Sequence, residues 1–102
     1  MKCIKNLYKD ENLKNIDSVI AALGRKESVF NVYLLCVDKK SRNLVEIMSM
    51  REALAERNTK REMTLIGIAY GRRGGYELLL KIIRGYVGSG SGIGEFKDKI
   101  LQ

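Results

Sequence analysis

An eight-residue apolar run lies at residues 63–70, Met-Thr-Leu-Ile-Gly-Ile-Ala-Tyr, and a glycine cluster closes it. A continuous apolar run bounded by turn residues reads as a buried strand. After the cluster the spacing becomes helical. Tyr76, Leu79, Leu80, Ile83 and Val87 fall on one stripe, Ile82 and Tyr86 widen it, and Glu77 precedes Lys81 by four residues on the outer face. Residues 63–87 therefore read as a strand, a tight basic turn and an amphipathic helix.

The same two periods recur upstream. Leu13, Ile16, Val19, Ile20 and Leu23 repeat at three- and four-residue spacing and Gly24 follows as a C-cap, which predicts a helix over 12–23. Residues 29–37, Val-Phe-Asn-Val-Tyr-Leu-Leu-Cys-Val, are apolar on both alternating faces, the pattern of a central strand. A polar break over 38–43 leads to Leu-Val-Glu-Ile-Met at 44–48, read as the second strand of a hairpin and an edge protected by Glu46. Ser49 followed by Glu52 is a capping-box signature opening a short helix over 50–57. At the N-terminus Ile4, Leu7 and Tyr8 fit one helical face, so residues 1–8 are predicted as a helical turn.

These elements predict an α/β domain over residues 1–87. Its three-stranded mixed sheet is built from a β-hairpin plus a third strand, in the order α-β-β-α-β-α, with helices packed on the sheet. Residues 88–102 are a Gly/Ser-rich linker by composition and a tail that either docks through Phe96, Ile100 and Leu101 or hangs free. The third strand is expected beside the first and antiparallel to it. That topology gathers Lys39, Lys40, Arg42, Lys60 and Arg61 at one end of the sheet, and Arg51, Arg72 and Arg73 at the other.

Composition narrows the class. A chain of 102 residues with 45% apolar and 30% charged residues suits one core and argues against disorder. Two cysteines, Cys3 and Cys36, are too few for a disulfide framework, so both are expected as reduced thiols. No apolar stretch approaches the roughly 18 residues of a membrane span, and the N-terminus lacks a signal-peptide core, so the expected location is cytoplasmic.

Chemistry is narrowed further by the absence of histidine, which removes Ser-His-Asp and Cys-His arrangements and imidazole ligands for zinc. No catalytic constellation, metal set or cofactor motif stands out, and none is assigned. The net charge of +7 points to an acidic protein or a nucleic acid as partner. In Gly71-Arg72-Arg73-Gly74-Gly75, glycines beside a helix start can offer free N–H groups, and two guanidinium forks, to a phosphate or carboxylate. The spacing matches neither the Walker loop nor the dinucleotide fingerprint, and a plain turn needs glycine there as well. Three functions follow. One is a non-catalytic interaction module whose basic ends meet an acidic partner. Another is a weak, non-specific nucleic-acid binder using Lys39, Lys40, Arg42, Lys60 and Arg61. The third is a small-anion-binding protein or enzyme using Arg72, Arg73, Gly74 and Gly75. The limited faces and exposed edges of a small sheet also allow a homodimer.

Overall fold

Residues 1–88 and 95–101 are described by the computed structural model. The first segment is a strand, β1 (Lys2–Lys9), rather than the helical turn expected over 1–8. Ile4 and Leu7 explain the ambiguity: a spacing of three puts two residues on one face of a helix but on opposite faces of a strand. Here they diverge, Ile4 packing into one core and Leu7 into the other.

β1 is followed by α1 (Ile16–Gly24), β2 (Val32–Asp38), β3 (Glu46–Ser49), α2 (Met50–Ala53), α3 (Glu56–Thr59), β4 (Met63–Tyr70), α4 (Gly71–Gly88) and α5 (Phe96–Ile100). The sheet has four strands in the order β1-β4-β2-β3, not three, and the element order differs from α-β-β-α-β-α by the added N-terminal strand and C-terminal helix and by the division of the middle helix. β4 pairs in parallel with β1 and antiparallel with β2, which pairs antiparallel with β3. Helices cover both faces. α1 and α2 close one core around Leu34, Cys36, Leu65 and Ile68; α4 and α5 close the other around Leu35, Val37, Ile66 and Ala69.

Residue chemistry accounts for the local boundaries. β2 alternates between the two cores and is buried along nearly its whole length, as a strand apolar on both faces requires. α1 starts at Ile16 rather than 12, because Asp10 organises the preceding residues: its carboxylate accepts from Asn12 N at 3.2 Å and its carbonyl from Leu13 N at 3.0 Å. Those bonds hold Leu13 buried as a loop anchor. The capping box is present, with Glu52 N donating to Ser49 Oγ and Ser49 N to Glu52 Oε1, each at 3.1 Å. The helix it opens breaks at Ala55, whose extended backbone separates α2 from α3.

In α4 the large side chains Leu78 and Ile82 are buried, whereas Tyr76 and Leu80 of the expected core stripe are half exposed. The helix is rotated because Gly74 and Gly75 let its first turn settle onto the strands: a Cβ at Gly75 would stand 3.2 Å from Ile47 Cγ2. α5 docks through Phe96 and Ile100, both buried, with the Phe96 ring edge-on to Tyr86 at 5.0 Å between centroids. Lys97 Nζ donates to the carbonyls of Asp38 at 2.8 Å and Ser41 at 2.6 Å. The Gly/Ser stretch read at 88–94 lies, from residue 89 onward, outside the described residues. Among the described residues no helix is long and apolar enough to cross a membrane.

Candidate functional site

Two polar clusters occupy opposite ends of the sheet. At the Asp38 end, Arg61 is held by carboxylates. Its Nε and an Nη bond Asp38 Oδ2 at 3.1 and 2.9 Å, its two Nη atoms engage both oxygens of Glu46, and one Nη also reaches Asn58 Oδ1 at 3.2 Å. Glu46, then Asp38, hold the guanidinium pKa above its ordinary value. The carboxyl of Asp38 is lowered, first by the hydrogen bond from Lys40 N and then, against burial, by Arg61. Within the expected basic cluster, Arg61 is therefore committed to the fold. Lys39, Lys40 and Arg42 are exposed, and Lys60 makes an exposed ion pair with Glu56 at 3.4 Å.

At the other end, the glycine-rich segment 71–75, expected as a tight turn ahead of the helix, is instead the first turn of α4 itself. Gly71 takes φ of +76°, and its N–H donates to Asn31 O at 2.7 Å, itself a residue at φ of +59°. Asp10 reaches the same corner, where its Oδ2 accepts from Tyr70 N at 3.2 Å. A Cβ on residue 74 would stand 2.5 Å from that oxygen. A carboxylate of the chain itself thus lies against the start of α4, where an external anion was considered. Arg72 points across the sheet, its guanidinium 5.5 Å from the centre of the Tyr33 ring; Tyr33, and after it Tyr76, hold its pKa above the ordinary value. Arg73 pairs with Glu77 at 3.2 Å in an exposed i,i+4 contact.

Aromatic residues gather at this end. Val32 lies opposite Tyr70 in the sheet and Tyr33 opposite Ser49, so Phe30, Tyr33, Tyr70 and Arg51 belong to the same end as Arg72. Phe30 is 89% exposed, Tyr70 49% and Tyr76 52%. Phe30 read as a strand residue within 29–37, but β2 begins at Val32, because Asn31 turns through the left-handed region. The asparagine inside an otherwise apolar run was the available signal, since asparagine tolerates that conformation better than most residues.

Among the described residues no group of three His, Cys, Asp or Glu side chains is placed to hold a metal ion. Burial, and after it Glu46, pushes the Cys36 thiol up to about 12, so it stays protonated; Cys3 is exposed. Cys3 borders a cleft of about 500 Å³ between α1 and the α2–α3 segment, walled mainly by Ile20, Leu23 and Leu54. A second groove, of about 440 Å³, follows the outer edge of β3. Compared with known protein families, with curated proteins and with solved structures, the chain matches none.

Proposed function

We propose that the protein is a non-catalytic interaction module that presents the aromatic and arginine-bearing end of its sheet to an acidic partner protein. The observation that carries this reading is Phe30, a phenylalanine 89% exposed at the end of the sheet where Arg72 stacks on Tyr33. Aromatic and arginine side chains dominate the binding energy of protein interfaces, because they bury large area while losing little side-chain freedom or while forming forked bonds to carboxylates. Arg51 and Arg72 supply positive charge at the same end of the sheet.

The test is titration with an acidic peptide carrying an apolar anchor, followed by amide shifts and by the thermal midpoint. A ligand at about 100 times its dissociation constant adds about 2.7 kcal/mol to the folded state. Phe30→Ala and Arg72→Ala are each expected to weaken binding about tenfold while changing stability by less than about 0.5 kcal/mol. Binding that ignores both changes would sink the proposal.

A second reading rests on the exposed Lys39, Lys40 and Arg42 at the opposite end. Nucleic acid bound there gives an affinity that falls steeply with salt and is insensitive to Phe30→Ala. An anion held by Arg72, Arg73, Gly74 and Gly75 would share the corner with the Asp10 carboxylate, and its binding would strengthen in Asp10→Asn.

A further inference from the structure

The ladder of β3 runs to β2 alone, and among the described residues no backbone–backbone hydrogen bond reaches residues 46–48 from outside that ladder. The groove along this edge is walled by Tyr76 and Leu79 of α4 on one face of the sheet, and by Glu52, Arg57 and Asn58 of the α2–α3 segment on the other. Tyr76 and Leu80 are about half exposed and Ile83 is half-buried, so α4 carries a second apolar stripe beside an open strand edge.

We infer that this edge pairs with the same edge of a second copy of the chain, β3 against β3 in antiparallel register, joining two four-stranded sheets across a two-fold axis. Charge and spacing both support self-pairing. The α2–α3 segment runs back along β3 from Ser49 toward Asp38, so Glu52 lies toward one end of the groove and Arg57 toward the other. A two-fold axis through the middle of β3 reverses one copy and brings the exposed Glu52 of each to the exposed Arg57 of its partner. On the opposite face, Tyr76 and Ile83 lie seven residues apart with Leu79 and Leu80 between them. The same axis therefore sets Tyr76 against Ile83 and Leu80 against Leu80, an isologous contact in which one patch serves both sides. The other sheet edge is protected: β1 carries exposed Lys2, Lys5 and Lys9, and residues 4–7 fall between its two paired segments opposite only Ile66. In β3 the charge that would guard the edge, Glu46, is tied to Arg61.

Light scattering and sedimentation across a concentration series test this directly. The wild-type mass is expected to rise from 11.6 kDa toward twice that value. Leu80→Glu and Arg57→Glu, both at exposed positions, should each weaken association about tenfold or more while leaving the circular dichroism unchanged. Adding Glu52→Gln to Arg57→Glu should recover part of the loss, because glutamine keeps the capping contact while removing the carboxylate repulsion. A protein that stays monomeric at every concentration overturns the inference, as does a dimer indifferent to Leu80→Glu. A monomer whose β3 amides become protected only when an extended peptide is added also overturns it, and gives the edge to a foreign strand.

Discussion

Asp10 Oδ2 and Gly74 are fitted so closely that a Cβ on residue 74 would stand 2.5 Å from the carboxylate oxygen. The oxygen is not free to yield, since it accepts from Tyr70 N while its partner oxygen accepts from Asn12 N. Gly74→Ala is therefore expected to forfeit, through the lost Asp10 contacts, the roughly 1 kcal/mol that alanine contributes inside a helix. Gly85→Ala, in the same helix with nothing within 4 Å of its Cβ, should stabilise by about 0.5–1 kcal/mol. Denaturant unfolding of both variants checks the contrast. In an Asp10→Ala background Gly74→Ala should become stabilising as well.

Arg61 is tied to two carboxylates, Asp38 and Glu46. Arg61→Ala leaves Asp38 and Glu46 without their cation, at an expected cost of about 3 kcal/mol, the low end for breaking a buried pair because the guanidinium side chain keeps 30% exposure. Arg61→Lys should recover little, since an ammonium cannot fork between two carboxylates. Urea unfolding midpoints of the two variants should lie close together and well below wild type.

Acid should destabilise the protein. Asp38 is held below its ordinary pKa by Lys40 N and Arg61, and Glu52 by Ser49 N. A carboxyl with a lowered folded pKa contributes stability above its unfolded value, near 4, and that contribution is lost as pH falls through the folded value. The thermal midpoint should thus be level in weakly acidic buffer and drop below about pH 4. Asp38→Asn should flatten part of that drop.

Phe96 ties the C-terminal helix to the second core. It is 1% exposed and meets Tyr86 edge-on. Phe96→Ala is expected to cost about 3 kcal/mol or more, measured by denaturant unfolding. An unchanged midpoint would mean that α5 contributes nothing to the core.

Much of the architecture was legible along the chain because its signals are local. The two-faced apolar run of β2, the apolar run of β4 and the Ser49 and Glu52 capping box each depend on residues within one element. Where contacts between elements set the outcome, the pattern misled. Ile4 and Leu7 satisfy a helix and a strand equally, and only the free edge of β4 settles β1 as a strand. The stripe of α4 is turned by the close seat that Gly74 and Gly75 allow on Asp10 and Ile47. Arg61 counts as one of five basic residues by composition, yet Asp38 and Glu46, 23 and 15 positions away, withdraw it from the surface.

Periodicity records which face a residue prefers within its own element, and for this chain it determined a mixed α/β fold, its middle strands and its closing helix. The tertiary structure decided the fourth strand, the docking of Phe96 and Ile100, and the meeting of Phe30, Tyr33 and Arg72 at one end of the sheet. Those outcomes depend on which surfaces lie beside one another after the chain has folded, a relation that nearest-neighbour spacing does not encode.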